Sequence, residues 1–495
     1  ISGELLAAAP SDAAAHALAC EIAIAAEEPR QALEHISRAV ELEPEQPGYL
    51  LTKARVELMN RRGLAAQASA AAAAALAPKN PAYLFGAARI FIECDNPRGA
   101  SPLLLKARGL GASDPPLLYE LARSQFYLGE IGAGEATVTE FLKRAPAHGD
   151  ALLLRSRMRK QTPARNHIEA LRALAGQSLP WKEAVRVQYA LAKEYEDLGL
   201  DAEAFAAVKA GAALQRRRVG YDHEAELQNI DNLIATFTPE AFASIRDGFQ
   251  SDAPIFILGL PRTGTTLVER IISGHEDVKS AGETIDFMAA MSSIIDRYIA
   301  ERESENLNTL SAALCVDYRA MGERYVENVH GMIGESRRFI DKAPFNFLYC
   351  GLIGKALPNA RIIHLVRHPA DTCFAIFKTL FNQAYLFSYN LEELADYYIA
   401  YRRLMDHWRA LMPQQILDVS YEKLVSDPEA ESKRIMDFCG LDWSPDLIRI
   451  EERRAASSTA SAAQIREPIY TSSIDAWRRH EAELRLRAAE QNLER

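Results

Sequence analysis

The stretch PIFILGLPRTGTTL, residues 254–267, decides the fold of the second half of the chain. Its apolar run, rich in branched residues, predicts a buried strand, and Pro261 and Gly264 predict the turn that follows. From Thr265 to Ile272, apolar residues recur at the spacing of a helix with one buried face. Strand, glycine-bearing turn and helix in this order predict a loop whose backbone N–H groups bind phosphate at a helix N-terminus.

The loop differs from a nucleoside-triphosphate loop at one position. From Gly259 it reads G-L-P-R-T-G-T-T, which has the spacing G-x-x-x-x-G-K-[ST] with Thr265 in place of the lysine. Because that lysine reaches the β- and γ-phosphates, its absence argues against ordinary ATP or GTP turnover. Arg262 supplies positive charge within the loop instead. The alternative is a plain strand-to-helix turn with a solvated arginine.

The sequence P-R-T-G-T-T-L after an apolar strand resembles the 5′-phosphosulfate loop of sulfotransferases that use 3′-phosphoadenosine 5′-phosphosulfate (PAPS). The resemblance implies that PAPS is the sulfonate donor, that 3′-phosphoadenosine 5′-phosphate (PAP) is the product, and that no metal is required. It also explains the missing lysine, because PAPS has no γ-phosphate. The donor-binding residues in this loop are then Arg262, Thr263, Gly264, Thr265 and Thr266.

Sulfuryl transfer to a hydroxyl needs a base for the acceptor proton and positive charge near the leaving phosphate. Glu283-Thr284 is similar to the end of the Gly-Glu-Glu-Thr stretch of tyrosylprotein sulfotransferases, with Gly282 in place of the first glutamate, and this assigns Glu283 as the base. His275 is the competing base. That family has an arginine two residues beyond the base, where this chain has Ile285, so the departure weakens the expectation of an acidic acceptor peptide.

Lysine and arginine residues follow two further predicted strands. Lys342 stands in the stretch RFIDKAPF, residues 338–345, at the carboxyl end of a strand, where open α/β sheets bind ligands. The resemblance assigns Lys342 to the bridging oxygen. Arg367, at the end of the predicted strand 362–366, matches the 3′-phosphate arginine of the family, whose partner serine is Ala375 here. Arginine can donate two hydrogen bonds to one phosphate, so we expect PAPS binding to survive this loss.

The remaining assignments lie nearer the C-terminus. Residues 416–424 predict a further strand followed by a turn. Tyr421, in this stretch, matches the family tyrosine near the adenine, although a core tyrosine would have the same pattern. Residues 459–468 resemble the loop that closes over the nucleotide. Within it, Ser461 is assigned beside the sulfonate as a third catalytic residue, and Arg466 is the candidate phosphate contact.

The first 215 residues follow a repeat of 34 residues. Prolines recur at this step at Pro10, Pro44, Pro78 and Pro146, with Ala112 in the remaining position. Small residues share the period in two further series, which are Cys20, Ala54, Ala88 and Ala122, and Ala32, Ala66 and Ala100. Small residues let paired helices approach closely, and proline ends the second helix of a pair. The pattern resembles tetratricopeptide repeats (TPR), with an irregular unit near residues 155–163.

Composition restricts the possible partners, metal sites, disulfides and location of the protein. A formal net charge of −10 leaves no global basic footprint, so nucleic acid is not an expected partner. Six cysteines without CxxC pairs predict neither a zinc site nor a disulfide framework, which favours a cytoplasmic location. No apolar run approaches the roughly 18 residues of a membrane helix. The chain begins at Ile1 rather than Met, so an additional N-terminal segment is left open.

The sequence therefore predicts a multidomain protein. Residues 1–215 form an all-α TPR-like solenoid, 216–250 a charged helical connector, and 251–495 an α/β phosphate-loop sulfotransferase domain with a mainly parallel sheet. The predicted function is sulfonate transfer from PAPS to an acceptor hydroxyl, with peptide or protein tyrosine as one acceptor and the TPR groove as its binding surface. A homodimer is one candidate assembly. The alternatives are a carbohydrate or small-molecule acceptor, a nucleotide kinase, and a TPR scaffold with an inactive transferase domain.

Overall fold

The computed structural model describes residues 11–246, 248–452 and 468–481. The chain divides into two compact units. Of the described residues, the first unit takes in 11–146 and 328–335, and the second takes in 147–246, 248–327, 336–452 and 468–481.

The first unit is built from antiparallel helix pairs. Its helices are α1 (Ala13–Ala25), α2 (Pro29–Leu42), α3 (Pro47–Met59), α4 (Gly63–Leu76), α5 (Pro81–Glu93), α6 (Pro97–Gly109), α7 (Pro115–Leu128) and α8 (Ile131–Arg144). Corresponding helices start 34 residues apart, as the prolines indicate. Several begin at proline, whose fixed φ suits the first helical position. The predicted all-α TPR-like half is confirmed by this series of pairs.

A seam of small residues explains how the pairs pack. All seven small residues of the two sequence series are fully buried, and they are Cys20, Ala54, Ala88, Ala122, Ala32, Ala66 and Ala100. A larger side chain at these positions would hold the helix axes apart, because interaxial distance follows the side chains at the contact.

The second unit starts with an irregular helical region. Helices α9 (Gly149–Arg157) and α10 (Ile168–Ala175) are short and are separated by a small bridge between Thr162 and Arg165. A longer pair follows, α11 (Trp181–Asp197) and α12 (Asp201–Arg216), and then α13 (His223–Thr236) and α14 (Pro239–Ser244).

The α/β part contains a fully parallel sheet of five strands in the order β2-β3-β1-β4-β5. The strands are β1 (Pro254–Gly259), β2 (Val278–Ser280), β3 (Arg338–Asp341), β4 (Arg361–Val366) and β5 (Ile416–Ser420). The helices are α15 (Thr265–Ile272), α16 (Asp286–Ala300), α17 (Thr309–Ala313), α18 (Tyr318–Ile333), α19 (Cys350–Ala356), α20 (Pro369–Phe377), α21 (Leu391–Leu411), α22 (Tyr421–Ser426) and α23 (Pro428–Cys439). The predicted α/β class with a parallel sheet is confirmed.

The sheet is buried on both faces, as parallel sheets with crossover helices are. On one face, Ile255 and Ile257 of β1 pack in a cluster with Ile271 of α15. On the other face, the ring of Phe256 stacks on Tyr325 with centroids 5.5 Å apart. Strand β1 lies at the centre of the sheet, so its carboxyl end is held rigidly from both sides.

The parallel strands bring the predicted site residues to one edge. Gly259 ends β1, Lys342 follows β3, Arg367 follows β4 and Tyr421 follows β5. Glu283 stands three residues after the end of β2. The carboxyl ends of neighbouring parallel strands share one edge, which is where open α/β sheets hold their ligands.

Candidate functional site

The phosphate loop runs from the end of β1 to the start of α15. Its turn needs left-handed backbone at Arg262 (φ 67°) and at Gly264 (φ 102°), immediately before the helix. The hydroxyl of buried Thr263 donates to the carbonyl of Leu260 over 2.8 Å, so this side chain closes the turn from inside. Thr265 and Thr266 form the first turn of α15, where the backbone N–H groups of a helix start favour an anion.

Two arginines meet at this loop. Arg367 is buried, and its Nη1 donates to the carbonyl of Arg262 over 2.9 Å, while its Nη2 donates to the carbonyl of Ser473 over 2.6 Å. Burial, together with the positive charge of Arg367, lowers the pKa of Arg262 to about 10. Cations held together against their mutual repulsion are stabilised when an anion binds between them. The residues therefore fit a phosphate-bearing ligand such as PAPS.

Tyr421 packs over the same loop. Its ring lies 4.7 Å from the Arg367 guanidinium carbon, and its hydroxyl is 2.5 Å from Ser473 Oγ. A Cβ atom on Gly264 would approach the Tyr421 ring to 2.6 Å, so both the positive φ and the close ring require glycine at this position. The tyrosine thus orders the arginine and the loop together.

Ala375 lies buried in α20, and the structure shows what surrounds it. Thr379 Oγ1 donates to the Ala375 carbonyl over 2.8 Å. The nearby cation Lys378 forms an ion pair with Glu196 of α11 at 2.5 Å. Its charge is therefore already balanced within the second unit.

Glu283 and Lys342 form an ion pair at the same edge of the sheet. Lys342 is fully buried, whereas the Glu283 side chain is 51% exposed. Glu269 of α15 approaches the same ammonium at 3.7 Å and accepts a hydrogen bond from Ser280 Oγ at 2.6 Å. The backbone N–H of Lys342 donates to the carbonyl of Gly282 over 2.9 Å, which fixes the two loops to each other. An exposed carboxylate beside a buried ammonium is suited to accept a proton from an incoming hydroxyl.

The competing base lies elsewhere. His275 precedes the amino end of β2, and its Nδ1 accepts a hydrogen bond from the Asp277 backbone N–H over 3.2 Å. The residues gathered around the loop are at the carboxyl ends of the strands, so the geometry favours Glu283 over His275.

A buried polar cluster behind Lys342 was not predicted. Asp341 accepts hydrogen bonds from the Tyr325 hydroxyl (2.9 Å) and the Asn346 amide (3.0 Å). Burial, aided by the charge of Asp286 and opposed by the hydrogen bonds from Tyr325 and Asn346, raises the pKa of Asp341 to about 8. The stretch I-D-K carries no periodic signal for such a cluster, because its partners come from α16, α18 and the turn after β3.

An aromatic cluster that includes Phe345, three residues after Lys342, was also missed. Tyr385 stacks on Phe345 with ring centroids 4.4 Å apart, and Phe381 meets its edge at 4.8 Å. Burial raises the pKa of Tyr385, and the charge of Glu283 raises it as well. Tyr385 has a left-handed φ of 51°. This backbone conformation is uncommon for a bulky residue, and residues that adopt it cluster at functional sites.

Residues 468–481 return to the loop. Besides the Ser473 contacts, the Asp371 carboxylate accepts from the backbone N–H groups of Asp475 (2.8 Å) and Trp477 (3.1 Å). The Trp477 ring stacks on His368 with an interplanar angle of 7°. These contacts hold the segment beside Arg367. Two assigned residues, Ser461 and Arg466, lie outside the described residues.

The fold and this geometry define a class of protein, an α/β domain whose phosphate loop lacks the triphosphate lysine and faces paired arginines. Within the described ranges, no cluster of three or more His, Cys, Asp or Glu residues is arranged to hold a metal ion. The helices of those same ranges include none with both the length and the apolar character to cross a membrane.

Parts of the chain are similar to known proteins. Residues 254–445 match the sulfotransferase family. An uncharacterized protein of Aquifex aeolicus (strain VF5) is 28% identical over 401 residues, which is 79% of this chain and 52% of that protein. Protein-tyrosine sulfotransferase A of Caenorhabditis elegans is 23% identical over 241 residues, covering 47% of this chain and 63% of that protein.

Among solved structures, the sulfotransferase domain from the Synechococcus PCC 7002 olefin synthase aligns with 48% of this chain and 90% of its own length. Its TM-score is 0.34 and its sequence identity is 22%. This chain spans about half the length of the Aquifex relative. The resemblance of the α/β part to sulfotransferases is confirmed by the family match.

Proposed function

We propose that the protein transfers a sulfonate group from PAPS to an acceptor hydroxyl. The observation that carries the proposal is the buried guanidinium of Arg367, which donates to the backbone carbonyl of Arg262 and so lies against the phosphate loop. This charge arrangement calls for a multiply charged anion, and the absence of the triphosphate lysine matches a donor without a γ-phosphate. The family match of residues 254–445 supports the same donor chemistry.

The donor would be held by the residues of the loop and the adjoining strand ends. Backbone N–H groups from Thr263 to Thr266 bind its 5′-phosphosulfate, and Arg367 binds the far phosphate, with Tyr421 ordering the guanidinium. When bound, PAPS supplies a sulfonate already activated on a phosphate oxygen. Ser461 and Arg466 remain proposed contacts from the part of the chain outside the described residues.

Side chains of this protein accept the proton of the acceptor hydroxyl and stabilise the negative charge of the departing phosphate. Glu283 accepts the proton of the acceptor hydroxyl at its exposed carboxylate. Lys342, which is buried within ion-pairing distance of Glu283 and Glu269, supplies positive charge beside the departing phosphate oxygen. Burial of the ammonium keeps water from weakening this charge. No residue in this scheme needs a metal ion.

Binding of PAP, measured by calorimetry, tests the proposal. Arg367→Ala should weaken PAP binding by about 10- to 100-fold, because a charge-assisted hydrogen-bonding group contributes about 1.5–3 kcal/mol. Arg337→Ala is the matched control, since Arg337 is exposed and pairs with Asp277, and it should bind PAP as the wild type does. Absence of PAP binding by the wild-type protein would reject the transferase and leave the scaffold alternative.

We further propose that the helix pairs bind a peptide or protein, including an acceptor, on their groove side, as stacked repeats commonly do. The domain boundaries 1–215, 216–250 and 251–495, a homodimer, and a cytoplasmic location stay predictions. Transfer of label from radioactive PAPS in a lysate of cells lacking the protein would show whether the acceptor is a polypeptide or a small molecule.

A further inference from the structure

The surface next to Glu283 is apolar, and this constrains the acceptor. Ile285 is 57% exposed and Met288 is 39% exposed, which sets them among the exposed large hydrophobic residues of the described chain. They stand at the start of α16, three residues apart, and therefore share one face of the helix. Both follow the proposed base within five residues.

Aromatic rings follow the lysine that pairs with the same carboxylate. Phe345 stands three residues after Lys342, the ion-pair partner of Glu283, and its half-buried ring stacks on Tyr385 with centroids 4.4 Å apart. Ring faces of this kind bind flat apolar groups by offset or edge contacts. The left-handed backbone of Tyr385 shows that the chain holds this ring in place at some conformational cost.

The charges at this surface do not suit an acidic acceptor. The exposed carboxylate is that of Glu283, and Asp286 is buried three residues further on. The ammonium of Lys342 is already shared between Glu283 and Glu269, and Lys378 is paired with Glu196. The exposed carboxylate of Glu283 would therefore repel negative groups placed next to the acceptor hydroxyl.

We propose that the acceptor is a phenolic hydroxyl flanked by uncharged apolar groups, with Ile285 and Met288 selecting those flanks. This inference rests on the proposed sulfonate transfer and adds the class of acceptor. In the step itself, the phenol oxygen bonds to the sulfonate sulfur while the sulfur–oxygen bond to the donor phosphate breaks. The phenolic proton passes to Glu283, and PAP leaves with the bond electrons.

Matched acceptor pairs test this preference with radioactive PAPS. One pair is a tyrosine peptide flanked by leucines against the same peptide flanked by aspartates. The other is 4-propylphenol against 3-(4-hydroxyphenyl)propionate, which separates a small phenol from a peptide source. We expect kcat/KM for the apolar member of at least one pair to exceed that of its acidic partner by about tenfold or more, since a few methylene contacts contribute that much.

The variant Ile285→Arg should lower the apolar-to-acidic ratio about tenfold, because it replaces an apolar contact with a cation. Leu200→Arg is the matched control, since Leu200 is an exposed apolar residue of the second unit in the turn before α12, and it should leave the ratio unchanged. PAP affinity, measured separately, reports on the proposed function. If PAP binds, then preference for acidic acceptors, no effect of Ile285→Arg, or transfer to none of the apolar acceptors would overturn the inference.

Discussion

Glu283 and Lys342 differ sharply in exposure although they touch. The lysine is sealed in the protein, and the glutamate reaches solvent. A second carboxylate, Glu269, stays near the lysine and would keep its charge balanced if Glu283 took up a proton. The arrangement separates two tasks, because one carboxylate can exchange protons while the other preserves the ammonium.

Replacing the base tests this separation. Glu283→Gln should lower kcat for sulfonate transfer by about 10²- to 10⁴-fold, which is the usual contribution of a positioned base. PAP affinity should stay within about threefold of wild type, since the donor contacts lie on other residues. Glu276→Gln, an exposed acid in the preceding loop, is the control that should retain turnover. A Glu283→Gln protein with full activity would rule out the base assignment.

Asp341 gives a pH dependence with a defined sign. Burial raises its pKa to about 8 in the folded protein, above the ordinary value of 3.8. Between these values the folded state holds more protons than the unfolded state, so this group makes stability fall as pH rises through that window. Asp341→Asn removes the titratable group and keeps nearly the shape of the protonated, uncharged aspartic acid.

Urea unfolding at pH 5 and pH 8.5 measures the effect. We expect wild type to lose more unfolding free energy across this interval than Asp341→Asn does. Asp296→Asn, at an exposed position of α16, should behave as wild type. Equal losses in wild type and Asp341→Asn would show that Asp341 is already ionised at low pH in the folded protein.

At the scale of elements, the helix pairs depend on their buried seam. Ala88→Leu in α5 should destabilise the protein by about 1–3 kcal/mol, because extra methylenes have no space in a packed core. Ala82→Leu, an exposed position on the same helix, should change stability by no more than about 0.5 kcal/mol. Thermal unfolding of the two variants distinguishes a packing effect from a change in helix propensity, and similar midpoints would contradict close packing at Ala88.

Local patterns predicted these elements well. Helix α15 matches the expected range 265–272, and β5 begins at Ile416, within the stretch 416–424 that was expected to form a strand followed by a turn. The 34-residue spacing located the seam because each helix pair repeats the same contacts. Such features depend on neighbouring residues, and periodicity reports them directly.

Contacts made across long stretches of chain were not predictable in this way. Lys378 and Glu196 are 182 positions apart, and nothing in either segment indicates the other. The same holds for Tyr385, whose place against Phe345 depends on the path of an irregular loop. Charge pairing at distance and loop positions follow from the completed fold, since no fixed spacing encodes them.

At the scale of the whole molecule, negative charge exceeds positive charge by ten, yet cations gather at one edge of the sheet. The site residues come from five strand ends spread over more than 150 positions of sequence. Only the completed parallel sheet assembles them. The arginine pair is therefore a local property that the overall charge conceals.

The cysteines distributed through the fold give the molecule internal reporters. Burial raises the pKa of Cys20, in the seam of the helix pairs, to about 11, and that of Cys373 and Cys439, in the α/β part, to about 12. Since only thiolates react readily with alkylating reagents, these thiols stay inert until their surroundings open, whereas Cys315 is exposed. The rate of alkylation of the buried thiols therefore reports local opening in both compact units. Cys315 serves as the exposed reference, and no substitution is needed.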